Sequence, residues 1–163
     1  MNYTFKTITA GDDAVLAKLV RQVLTEFGIN RPGTAYTDPT TDHLSRLYTG
    51  ARAQYWVVTV DEKIVGGAGI RQLEGSNEDV CELQRVFLLP GYRGKGIAKN
   101  LIIKALQFAK DIGFKECYLE TTPELSQAIG LYLKLGFYHL DQAMGNTGHF
   151  TCTTYMLKDL LKD

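Results

Sequence analysis

The stretch YRGKGIAKNL, residues 92–101, constrains the fold more than any other part of the chain. Two glycines and two cations stand between an apolar run, VFLLP, and a helical repeat. Ile97, Leu101, Ala105, Phe108 and Ile112 recur every three or four residues, the period of one helix face. Strand, glycine turn and helix follow in that order. A helix starts with N–H groups that no carbonyl accepts and with the positive end of its dipole, so a turn open to close approach is a natural anion site. Arg93 and Lys95 add positive charge beside it. An ordinary tight turn would use glycine too, so the surroundings must decide.

The rest of the chain alternates strand and helix patterns. Residues 2–8 are β-formers, and Ala10-Gly11-Asp12-Asp13 supplies turn and cap chemistry before Leu16, Leu19, Val20, Val23 and Leu24 at helical spacing. Residues 28–42, rich in Gly, Pro, Thr and Asp, form a loop that closes on a short helix with Leu44, Leu47 and Tyr48. Residues 54–73 read as a hairpin around Asp61-Glu62-Lys63, with a third β run at 80–89. A short strand at 116–122 precedes a helix with Pro123 in its first turn and Gly136 at its stop. Two late β runs, 137–140 and 150–157, flank the polar turn GNTGH. The order is β-α-α-β-β-β-α-β-α-β-β, and 1–163 is expected to be a single domain.

Composition excludes several classes. Lysine plus arginine equals aspartate plus glutamate at 18 each, so no global field draws the chain to nucleic acid or an anionic membrane. The three cysteines are widely spaced, which argues against a disulfide framework and against zinc. No apolar run approaches 18 residues and the start lacks a signal-peptide core, so a cytoplasmic location is expected. A phosphate loop of the Walker type would need Lys-Ser/Thr where Ile97-Ala98 stand, and a dinucleotide fingerprint would need glycine at Lys99.

What remains is R-x-x-G-x-A, from Arg93 to Ala98, on a strand, turn and helix. With VFLLPGYRGKGIAKNLI around it and AIGLYLKLGF closing the next helix, the chain resembles the GNAT family of N-acetyltransferases over nearly its whole length. The resemblance implies an α/β (α+β) fold with a mixed, mostly antiparallel sheet flanked by helices. It further implies an acetyl-CoA-dependent enzyme acting on a primary amine of a small molecule or peptide, with no metal and with a homodimer left open. Carried over residue by residue, Arg93, Gly94, Lys95, Gly96, Ile97 and Ala98 would bind the pyrophosphate of coenzyme A. Val86 and Leu88 would pair through their backbone with the pantetheine arm. A coenzyme A-binding sensor without turnover is the alternative.

Acetyl transfer calls for a base and an acid. Glu82 and Gln84 share one face of a largely apolar strand, where burial would raise a carboxylate's pKa. The resemblance makes Glu82 the base, since it stands eleven residues before Arg93, and leaves Gln84 to orient substrate. Tyr132, four residues before Gly136, takes the family's general-acid position. Leu125 stands where the family often has asparagine. Because the last hairpin and the loop after the first helix wall the acceptor site in the family, Tyr36, Asn146 and His149 are candidate acceptor contacts. His43 and His139 show no metal-ligand spacing, and direct transfer gives Cys117 no nucleophilic role.

Overall fold

Asp61 and Glu62 take positive φ, 49° and 66°, the conformation of a two-residue hairpin turn. They join β2 (Gln54–Val60) to β3 (Lys63–Gln72) in the computed structural model, which describes residues 1–162. β1 (Thr4–Thr7), β4 (Val80–Leu88), β5 (Glu116–Thr121), β6 (Tyr138–Leu140) and β7 (Thr154–Asp159) complete a seven-stranded sheet in the order β1-β2-β3-β4-β5-β7-β6. All neighbours are antiparallel except β4 and β5, so the sheet is mixed as expected.

Helices cover both faces. α2 (Ile97–Asp111) buries Leu101, Ile102, Ala105 and Ala109 against Trp56, Ala68, Ile70 and Leu83, and α3 (Ser126–Lys134) brings Tyr132 into the same core. On the opposite face α1 (Asp13–Glu26) places Leu16 beside Tyr55 and Val57, closed by Leu44 of a 3-10 helix over Pro39–Arg46. Gly136 stops α3 at φ +97°, with Phe137 N–H donating back to Tyr132 O at 3.0 Å.

Three expectations need correction. The second helix is a 3-10 segment kinked at His43, whose φ of −139° is not helical. Pro123 lies outside α3: Leu125 N–H bonds Thr122 O at 3.1 Å in a turn, and Leu125 caps the helix at φ −90°, ψ 51°. The last strand starts at Thr154 rather than residue 150, because Thr151 N–H and Oγ1 bind the carbonyls of Gly33 and Pro32 instead of a neighbouring strand. The β6–β7 connection is therefore strapped across the α1–β2 loop.

Glycines in β3 make room for what lies beneath. A Cβ on Gly67 would come within 2.7 Å of the Tyr55 hydroxyl and 2.8 Å of Trp56 O, and one on Gly69 within 2.5 Å of the Tyr48 ring. The ring of Tyr55 can thus cross under the sheet and donate to Arg85 O at 2.8 Å. Gly67→Ala should cost about 2–3 kcal/mol through overpacking and lower Tm by roughly 5–10 °C in a thermal melt.

Candidate active site

β4 and β5 pair only from Val80 to Glu82 against Glu116 to Tyr118. Beyond that β4 stays with β3 and β5 with β7, so the two parallel strands part and open a gap. A cleft of about 520 Å³ runs along it between α1, α2 and α3, bordered by Val86, Leu88, Arg93, Gly94, Ala98 and Tyr132. That volume suits a small-molecule ligand.

At the head of α2 the turn is open. Gly94 and Gly96 take φ of +73° and +82°, which favours glycine, with no atom near where a Cβ would stand. The N–H groups from Gly94 to Ala98 donate no hydrogen bond among the described residues, and exposed Lys95 has no ion pair there. These donors and this cation fit a pyrophosphate. Arg93 departs from the expectation that it supplies unpaired charge. Its guanidinium is held by both Glu26 oxygens, at 2.6 and 3.0 Å, lies over the Phe27 ring, and donates through Nε to Leu88 O at 2.9 Å. Arg93 thus ties the end of α1 to the end of β4, and the Leu88 carbonyl already has a donor.

Deeper in, Glu82 and Gln84 do share a face. Gln84 Nε2 donates to Glu82 Oε1 at 2.6 Å, and Tyr48 donates its hydroxyl to Gln84 Oε1 at 2.8 Å, which fixes the amide's orientation. Glu82 is only 6% exposed, and burial pushes its carboxyl up to about 7, with Gln84 opposing and Glu120 adding to the rise. A group near 7 holds or releases a proton at working pH. Glu120 accepts from Tyr118 at 2.6 Å and from the Thr147 hydroxyl.

The register of β3 and β4 breaks between Gly67 and Gly69, leaving Arg85 and Val86 without a partner residue on β3. Arg85 sits in this bulge at φ +51°, unusual for a non-glycine residue. The bulge turns its side chain, 4% exposed, toward Asp38 at 3.0 Å. Asp38 also bonds His149 Nε2 at 2.7 Å and both donors of Thr40. The hydrogen bond from His149, with Thr40 and Arg85 assisting, holds the Asp38 carboxyl well below the usual range despite burial. Arg85, Asp38 and Glu120 escaped the sequence reading. Asp38 had a signal, an aspartate before Pro39 as a cap, but nothing in the sequence marks a bulge at Arg85.

Tyr132 borders both the cleft and an inner chamber of about 80 Å³ that Glu82 and His149 also line. Burial raises its phenol above the usual range, and its hydroxyl makes no hydrogen bond among the described residues. The structure therefore brings together Glu82, Gln84, Tyr132 and His149. Tyr36 instead packs against the core under α1, and exposed Asn146 donates its N–H to Glu74 O at 2.7 Å; neither borders the cleft or the chamber. Cys117 is fully buried and its thiol is pushed up, chiefly by that burial. Among the described residues no cluster of His, Cys, Asp or Glu is placed to hold a metal, and no helix is long and apolar enough to cross a membrane.

The sequence profile of the Acetyltransferase (GNAT) family matches residues 19–137. The chain is 45% identical over 156 residues to the uncharacterized N-acetyltransferase YjgM of Escherichia coli K12, covering 95% of this chain and 93% of that one. It is 33% identical over 124 residues to human N-acetyltransferase 8, 72% of this chain, but spans only 55% of that protein. Among solved structures, a GNAT-family acetyltransferase of Staphylococcus aureus Mu50 superposes with a TM-score of 0.86 at 20% identity, covering 98% and 99% of the two chains. The PaiA N-acetyltransferase of Thermoplasma acidophilum, solved with coenzyme A, superposes at 0.73 and 19% identity over 98% and 99%.

Proposed function

This chain belongs to the acetyltransferase (GNAT) family and is an N-acetyltransferase; from that premise we propose that it moves the acetyl group of acetyl-CoA to a primary amine by direct attack, with Glu82 as base and Tyr132 as acid. The observation that carries the reading is the pair itself: a buried carboxyl near 7 and an unpartnered phenol line one chamber at the inner end of the cleft. Acetyl-CoA supplies the activated acyl group. Glu82 takes the proton from the amine as the N–C bond forms, and Tyr132 gives its proton to the sulfur as the C–S bond breaks. The unpaired amides from Gly94 to Ala98, with Lys95, hold the pyrophosphate, while Val86 offers its backbone to the pantetheine arm. Gln84, locked by Tyr48, keeps the Glu82 carboxyl in place.

The acceptor is a small molecule or peptide end, and residues 1–163 act as one domain. The coenzyme A complex of the similar fold from Thermoplasma acidophilum supports the choice of cosubstrate. Acetyl-CoA at about a hundred times its Kd should stabilise the chain by about 2.7 kcal/mol. Gly96→Asp, which puts a carboxylate and a strained φ into the turn, should abolish that ligand-induced gain. Arg93 is left intact in this test because its bond to Glu26 is structural. A melting temperature indifferent to millimolar acetyl-CoA overturns the assignment, and coenzyme A stabilisation without thiol release from any amine turns the reading into that of a sensor.

A further inference from the structure

Glu82 also lines a second, polar chamber of about 190 Å³, whose cations the transfer chemistry leaves unused. Two of its cations keep N–H groups without an acceptor among the described residues. Arg71 stands directly opposite Glu82 in the β3–β4 ladder, so their side chains leave the same face of adjacent strands. It makes no hydrogen bond or ion pair among the described residues. The second is Arg85. Only its Nη2 is engaged, by Asp38, Thr40 and Thr41, while Nε is buried without any hydrogen-bond partner. A buried, unpartnered guanidinium edge is costly and calls for an acceptor. The protein anions nearby do not supply one. Asp38 already serves Arg85 Nη2 and His149, Glu82 is bound by Gln84, and Glu120 is taken by Tyr118 and Thr147. Glu74 lies exposed at the rim.

We propose, on the basis of the acetyltransferase reading above, that the acceptor is a free α-amino acid, its carboxylate received by Arg71 and the open edge of Arg85 while its amine faces Glu82. The spacing fits this chemistry. In an α-amino acid the amine and the carboxylate share one carbon, and Glu82 and Arg71 are direct cross-strand neighbours. A guanidinium takes a carboxylate through two parallel N–H bonds, which orients the amine as well as holding the molecule. An amine without the carboxylate leaves half-buried Arg71 unpaired and the buried Nε of Arg85 without an acceptor, and a site built for a polar group discriminates strongly against the analogue that lacks it.

The test uses matched sets: each of the twenty amino acids, its α-amide and its decarboxylated amine, offered to the full chain with saturating acetyl-CoA while thiol release is followed. The free acid of at least one set should exceed its amide and amine by 10-fold or more in kcat/KM. Arg71→Gln should lower kcat/KM for that acid by about 10- to 100-fold, the range of one charge-assisted hydrogen bond, mainly through KM, and bring the acid-to-amine ratio toward one. Arg71→Lys should restore part of the preference, and the melting temperatures of both variants identify any loss due to misfolding. Amides or decarboxylated amines accepted as well as the acids, or an acid preference that survives in folded Arg71→Gln, overturns the proposal. So does turnover of peptide amines alone in a chain that acetyl-CoA stabilises. Absence of acetyl-CoA stabilisation together with absence of any turnover removes the acetyltransferase reading itself.

Discussion

Tyr132→Phe should lower kcat by roughly 10- to 1000-fold, toward the lower end of what a positioned general acid contributes, while acetyl-CoA binding stays within about twofold. Tyr132 packs edge-on against Phe137, at 5.8 Å between ring centroids, and is 6% exposed, so phenylalanine keeps the packing that shapes the cleft. The hydroxyl has no protein partner to lose, and its removal should leave no orphaned group behind. What disappears is one donor at the junction of cleft and chamber. Burial raises the phenol's pKa, so it remains protonated across the working range and is available as an acid. Because the group acts only as the sulfur departs, kcat and kcat/KM should fall together. Single-turnover thiol release and titration of acetyl-CoA by thermal shift measure the two quantities separately. Wild-type turnover would make Tyr132 a core residue that happens to line the cleft.

The elements that position this pair were legible where a local pattern writes them. The apolar β run at residues 54–60, helical spacing from Ile97 to Ile112 and the glycine at 136 each act over a few residues, and the element order follows once they are joined. The same holds for Glu82 and Gln84, whose shared face needs only the period of a strand. What could not be read arises from pairs distant in sequence. Arg85 belongs to the site because a register break at Gly67 and Gly69 twists β4, and that break depends on Tyr48 and Tyr55 filling the space the glycines leave. Arg93 looked like a ligand for anions but meets Glu26, 67 positions away. Tyr36 and Asn146 were placed at the site by the loops that carry them. A loop's address does not fix which way each side chain points, and of the strapped β6–β7 connection only Thr147 and His149 reach the polar chamber.

Glu82→Gln should depress kcat/KM at pH 7 by roughly 100- to 10,000-fold, as expected for a general base, and remove the acidic limb of its pH profile. In the wild type that limb should fall near pH 7, where burial has moved the carboxyl, since only the ionised form takes the amine's proton. Glutamine preserves the shape and the contact with Gln84 but has no proton affinity to offer. Partial recovery at high pH is expected, because the free amine then needs no base. The same shift makes a stability prediction of opposite sign. Glu82 ionises with a pKa of about 7 in the folded chain against 4.5 in the unfolded one, so the folded state holds the proton more tightly. Its contribution to stability is full below about pH 4.5 and is lost as pH rises through 7. At pH 8 the buried charge costs on the order of 3 kcal/mol, and Glu82→Gln should therefore melt several degrees above the wild type there, an advantage that vanishes near pH 4. The gain in stability follows from burial of the carboxyl alone, so the loss of the acidic limb is what separates a base from a structural glutamate. If the variant keeps an unshifted acidic limb at near-normal rate, the base is a water relay or His149, which lines the same chamber and is held through Nε2 by Asp38, and His149→Asn should abolish the remaining limb in the second case and spare it in the first.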